Sequence, residues 1–199
     1  MKTPFVTKEQ LEKICETYPT PFHLYDERGI RENARRMKAA FAWNKGFKEY
    51  FAVKATPTPG ILKLLGEEGC GVDCSSLVEL MLVRRCGFRG REIMFTSNNT
   101  LAEEFRLADE LGAFINLDDL TLVDFLEESL GYVPETVLCR YNPGGVFTLG
   151  AGKEGFQVMD TPGDAKYGMS RDQLVQAFRR LREKGVRHFG LHAFLASNT

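Results

Sequence analysis

The sequence predicts an α/β fold built on a parallel sheet, and three features predict it. Between Phe47 and Phe194, six short apolar runs alternate with segments of helical period. Helix starts are marked by capping boxes, and several helix ends by glycine. The C-terminal ends of the runs carry ionisable residues where a bland sheet would show serine, asparagine or glycine. With 199 residues, 43% of them hydrophobic, the chain suits one globular domain, or a domain and part of another.

The elements follow in order. Thr7-Lys8-Glu9-Gln10 is a capping box that opens a helix carrying Leu11, Ile14 and Cys15. PTPFHLYD then reads as a short extended segment. FKEYFAVK, ending on Lys54, is the first strand. Thr58 and Pro59 cap and start a helix with Ile61, Leu62, Leu64 and Leu65. GVDCS is the second strand, and Ser76-Leu77-Val78-Glu79 boxes a helix that stops near Gly87. EIMFTS is the third, followed by a box at Thr100-Leu101-Ala102-Glu103. AFINL is the fourth, with Asp118 as the expected cap of a helix running toward Gly131. TVLCRYN is the fifth. Residues 143–168 interrupt the rhythm with a Gly-rich, polar stretch several times longer than the usual βα loop. A box at Ser170-Arg171-Asp172-Gln173 opens a helix with Leu174, Phe178 and Leu181 on one face, closed by Gly185. RHFGLHAF is the sixth strand.

Alternating strands and helices imply parallel pairing through right-handed crossovers. Two architectures satisfy that order: an open doubly wound sheet, or a (β/α)8 barrel. A barrel takes about 250 residues, so from Phe47 this chain supplies about six of the eight units.

Either architecture binds its ligands at the C-terminal ends of the strands. Lys54, Asp73, Arg140 and His192 stand there, an ammonium, a carboxylate, a guanidinium and an imidazole on four strands. Each has a plain alternative. Lys54 is either a snorkelling lysine or an amine in a partly desolvated pocket, able to condense with an aldehyde. Asp73 is either a helix cap or a site acid, although Ser75 and Ser76 are better placed to cap. Arg140 is either a site cation or an interior charge paired with an acid. His192 is either structural or catalytic. Glu79 is the box partner of Ser76. Their common position across four strands carries more weight than any one residue.

The charge balance, 26 basic against 27 acidic residues, gives no footprint for nucleic acid. No apolar stretch reaches the roughly 18 residues that span a bilayer, and the N-terminus lacks a signal-peptide core, so a cytoplasmic location is expected. Five scattered cysteines suit free thiols in a reducing compartment and offer no zinc pattern. No metal site is expected.

PFHLYD, YFAVKA, GCGVDCSSLVEL, IMFTSNNT, FINLDD, LCRYNPGG and KYGMS, in that order, resemble the motif series of the fold-type III pyridoxal-phosphate-dependent decarboxylases, most of all the diaminopimelate decarboxylases. The resemblance runs from about Pro21 onward. It implies an α/β barrel of the alanine racemase-like kind, truncated here after about six strands, with residues 1–46 leading in and residues 47–199 as the partial barrel. The C-terminal barrel strands and a β domain would then lie outside this chain, which would be an incomplete, inactive portion of a homodimeric enzyme. It implies pyridoxal 5'-phosphate held by Lys54, Asp73, Arg140, His192 and Ser197. Lys54 forms the Schiff base, Asp73 lies near it, Arg140 belongs to the R-x-N-P strand, and His192 stacks on the cofactor ring. Ser197 is the candidate for the phosphate-binding serine, farther from His192 than the family's H-x-G-S spacing. The implied reaction is decarboxylation of a diamino acid, meso-diaminopimelate to L-lysine. Alternatives are ornithine, arginine or carboxynorspermidine as substrate, a racemase or cofactor carrier on the same barrel, or a non-catalytic homologue that binds a partner. An unrelated nucleotide-binding domain would want a Gly-rich turn after the first strand, which TPTPG does not provide.

Overall fold

A computed structural model describes residues 4–144, 148–149, 156–157 and 167–194. The chain divides into two compact units, Met1–Phe47 and Lys48–Thr199. In the first, α1 (Lys8–Thr17) begins at the predicted box, with Thr7 and Gln10 exchanging side-chain and backbone bonds. A second helix, α2 (Glu27–Ala40), follows the extended segment and is not anticipated by the sequence reading. Its signals were an apolar stripe at Ile30, Ala34 and Met37, with Ala34 buried, and charge pairs along one turn each, Arg28–Glu32 and Arg31–Glu27.

The second unit contains β1 (Tyr50–Ala52), α3 (Pro59–Glu67), β2 (Gly71–Cys74), α4 (Leu77–Cys86), β3 (Ile93–Thr96), α5 (Ala102–Glu110), β4 (Phe114–Leu117) and α6 (Leu122–Leu130). It continues with β5 (Thr136–Tyr141), β6 (Thr148–Leu149), β7 (Phe156–Gln157), α7 (Arg171–Glu183) and β8 (His188–Ala193). The main sheet is parallel in the order β1-β2-β3-β4-β5-β8. Inside the long excursion, β6 and β7 pair antiparallel. A doubly wound sheet reverses its strand order at a switch point. Here each strand of the main sheet is added beside the last, and successive helices pack on one another from α3 to α7. That is an arc of a barrel, so the open doubly wound alternative falls away.

The register divides the side chains into two sets. Val72, Cys74, Ile93, Phe95, Ile115, Leu117, Val137 and Cys139 are buried and form one layer. They pack with Leu62, Leu80, Val83, Phe105, Ala108, Val123, Leu126, Ala177 and Leu181 of the helices. Phe95 and Phe105 meet edge to face at 6.3 Å, and Phe178 and Phe189 at 5.2 Å. The alternate set, including Asp73, Thr96, Leu138, Arg140 and His192, points to the other face and is half-buried.

Several helix ends match expectation. Pro59 opens α3, Ser76 caps α4, the Ser170–Gln173 box opens α7, and Gly87 and Gly131 close α4 and α6 in the left-handed conformation. Three differ. Glu79 reaches back to the backbone N–H of Ser75 at 2.8 Å, one residue beyond the expected partner Ser76. The α5 start lies one residue later than the Thr100 box, because Glu104 performs two tasks there. Its Oε2 accepts from Leu101 N and its Oε1 from Leu77 N, both at 2.8 Å, so one buried carboxylate satisfies the N-termini of α4 and α5 together. Asp118 does not cap α6. Asp119 turns the chain there, accepting from Thr121 N at 2.8 Å and Thr121 Oγ1 at 2.6 Å, which leaves Asp118 for the interior.

Replacing Glu104 with alanine strands two helix N–H groups in partly buried positions. The expected loss is about 1–3 kcal/mol, with Glu104→Gln intermediate, read from the urea midpoint of unfolding.

Candidate active site

The C-terminal ends of the strands border a cavity of about 410 Å³, lined by Lys54, Asp73, Thr96, Arg140, Tyr167 and His192 among others. Four of the five residues singled out from the sequence therefore meet in one place. Ser197 lies outside the described residues.

Lys54 departs from expectation in one respect. The strand ends at Ala52, and Lys54 sits on a 3-10 turn, Val53–Ala55. It is also exposed, which fits the snorkelling alternative and not the partly desolvated one. The turn lifts the side chain onto the open rim of the cavity. Val53 is fully buried below it, and Thr56 N closes the turn on Val53 O at 3.2 Å.

Asp73, on β2, accepts a hydrogen bond from the Thr96 hydroxyl on β3. Burial pushes its carboxyl up to about 6; the Thr96 bond pulls the other way, the Glu79 charge adds to the rise, and the Lys54 charge opposes it. Asp73 is thus a carboxylate that changes charge near neutrality, beside an amine. It is not a helix cap, since Ser76 fills that role.

Arg140 and His192 are partners in the β5–β8 register, so their side chains leave the same face of adjacent strands. Arg140 is paired with Asp118 at 2.9 Å, and both are largely buried. This is the acid partner that the sequence left unnamed; the Asp118-Asp119 doublet was the signal, one acid for the turn and one for the interior. The other Asp118 oxygen accepts from Gly168 N at 3.2 Å. The Arg140 guanidinium lies over the Tyr167 ring at 5.3 Å and the Phe194 ring at 5.5 Å. Burial lowers the His192 pKa from its usual value, and the Arg140 charge lowers it further, against an opposing pull from Asp118. Its Nδ1 is buried with no hydrogen-bond partner among the described residues. Among the described residues, no group of three His, Cys, Asp or Glu could hold a metal ion. Cys74 and Cys139 belong to the core, and burial pushes the Cys139 thiol up to about 12, which makes it inert.

An exposed amine, an adjacent acid and a neutral imidazole around one cavity suit an aldehyde-bearing ring. Residues 27–199 match the family described as pyridoxal-dependent decarboxylase, pyridoxal binding domain. The chain belongs to that family. Protein TabA of Pseudomonas amygdali pv. tabaci is 43% identical over 188 residues, covering 94% of this chain and 42% of TabA. Diaminopimelate decarboxylase of Thermoplasma acidophilum is 29% identical over 189 residues, covering 94% of this chain and 44% of the relative. The crystal structure of diaminopimelate decarboxylase from Helicobacter pylori complexed with L-lysine superposes with a TM-score of 0.76 at 25% identity, over 94% of this chain and 47% of that one. The chain therefore spans less than half the length of these decarboxylase-family relatives. Among the described residues, no helix is long and apolar enough to cross a membrane.

The Asp73 shift fixes a sign. Its folded pKa lies above the unfolded 3.8, so folding takes up a proton between that value and about 6. The stability it contributes is complete below 3.8 and is lost as pH rises through about 6. Thr96→Val removes the opposing hydrogen bond and should move the Asp73 midpoint still higher, with Thr96→Ser restoring it. Carboxyl 13C NMR titration of Asp-labelled protein reads both.

Proposed function

We propose that this domain binds pyridoxal 5'-phosphate covalently at Lys54 and, within a whole enzyme, serves the decarboxylation of a diamino acid, meso-diaminopimelate to L-lysine. One observation carries the reading: in a chain of the pyridoxal-binding family, Lys54, Asp73 and His192 line one cavity at the C-terminal ends of a barrel arc. The cavity volume is within the range of small-molecule sites. The relatives named diaminopimelate decarboxylase support the substrate. Residues 47–199 are read as the six-strand part of the barrel and residues 1–46 as its lead-in. The remaining barrel strands, a β domain and a homodimer are assigned to the whole enzyme.

When bound, the cofactor supplies an electron sink for the carbanion left as carbon dioxide departs. The residues of this chain supply position and protons. The Lys54 amine, on a turn anchored by buried Val53, offers a reachable nucleophile. Asp73, held by Thr96, accepts or returns a proton at its carboxylate close to Lys54. His192, kept neutral by burial and by Arg140, presents an uncharged imidazole to the ring, and its unpartnered Nδ1 fits a site completed by a ligand. Arg140 shapes that wall with its charge balanced by Asp118.

Incubation with pyridoxal phosphate, borohydride reduction and peptide mass mapping should place the adduct on Lys54, and Lys54→Ala should abolish it. A folded protein labelled elsewhere, or not at all, overturns the reading. In the whole enzyme, release of carbon dioxide from meso-diaminopimelate should exceed that from ornithine, arginine or carboxynorspermidine. The reverse order would keep the cofactor site and replace the substrate.

A further inference from the structure

Asp118 does not border the cavity, yet it touches the parts that build one of its walls. It follows β4, lies 3% exposed, and divides its two oxygens between Arg140 on β5 and the backbone N–H of Gly168. Gly168 belongs to the segment that returns from the long excursion. There Met169 N donates to Arg140 O and Asn142 N to Met169 O, both at 2.8 Å, and Asn142 Nδ2 donates to Tyr167 O at 3.0 Å. Met169 is fully buried. Gly168 has φ +81, and an added Cβ would lie 3.1 Å from Asn142 Cβ and 3.3 Å from Arg140 Cγ, so this approach requires glycine. The guanidinium that Asp118 holds is covered by the Tyr167 and Phe194 rings and stands beside His192 in register.

We propose that Asp118 is a positioning residue of the cofactor site: through Arg140 it fixes the wall formed by Tyr167, His192 and Phe194, sets the charge that His192 experiences, and docks the returning segment onto β5. The proposal rests on the functional reading only in calling this cavity the cofactor site. The ion pair also explains why a cation can stand next to an imidazole in a half-buried wall. The carboxylate opposes the field that the guanidinium imposes on the ring. The charged groups around His192 are Arg140 from β5, Asp118 beyond β4, and Lys54 and Asp73 across the cavity. Removing Asp118 leaves the Arg140 charge uncompensated, and the imidazole then holds its proton less well.

The chain has only 3 histidines, and His23 and His188 are exposed, which makes a direct titration practical. Imidazole NMR on the protein without added cofactor should show the His192 midpoint falling in Asp118→Asn by on the order of half a pH unit or more. It should rise in Arg140→Met, while His23 and His188 stay in place. A His192 midpoint unmoved by both substitutions overturns the proposal. A loss of structure without a charge effect is distinguished in the wild-type protein. There the Gly168 amide and the Arg140 guanidinium protons should exchange slowly, and rapid exchange of both overturns the docking role. The titration needs no cofactor, so its failure is separable from a failure of aldehyde trapping at Lys54.

Discussion

The structure depends on the period of two along strands held in parallel register. Val72 aligns with Ile93, Phe95 with Ile115, and Leu117 with Cys139, so that one residue in two joins the layer beneath the helices. That layer is the hydrophobic core. The same alignment directs Asp73, Thr96, Arg140 and His192 to the opposite face with no further instruction. A slip of one residue would bury the ionisable set under the helices and expose the core, at a cost no single contact could offset. Core and candidate site are two faces of one register, and the stability of the first holds the geometry of the second.

The two acids of the inner face have different fates because their neighbours differ. Asp118 meets a full charge and a backbone N–H, and both of its oxygens are occupied. Its place is set by those two partners. Asp73 meets a neutral hydroxyl, and the Lys54 charge is the smallest of the influences on it, so burial dominates and its carboxyl titrates near neutrality. A site that must move protons needs an acid of the second kind, and a site that must hold its shape needs one of the first. The imidazole of His192 lies on the wall that this ion pair holds, in register with Arg140.

Most of the arc was legible in the sequence, because hydrophobic alternation and glycine stops report on neighbours a few residues away. Six strands, five intervening helices and four residues that line the cavity are read from such local signals. What was not legible depends on distant partners. Glu104 serves Leu77, far along the chain, so the start of α5 shifts by one residue from its local box. Asp118 reads as a cap on paper, and its pairing with Arg140 draws it inward while Asp119 makes the turn. The helix α2 carries only a narrow apolar stripe, Ile30, Ala34 and Met37, among many charges, and both the stripe and its charge pairs went unread. The end of β1 was placed two residues late because Val53 is apolar for a different reason: it is the anchor of a turn, not a step of the strand.

That last difference bears on the chemistry. A lysine at the end of a buried strand would be rigid because it is packed, and its amine would be hard to reach. Here the rigidity comes from below. Val53 is held in the core, the turn closes through Thr56, and Pro59 starts α3 directly afterwards, while Lys54 itself remains exposed above the cavity. Anchoring and access are thereby assigned to adjacent residues. On the proposed reading, the amine that captures an aldehyde needs a fixed origin and an open approach. A 3-10 turn over a buried valine provides both.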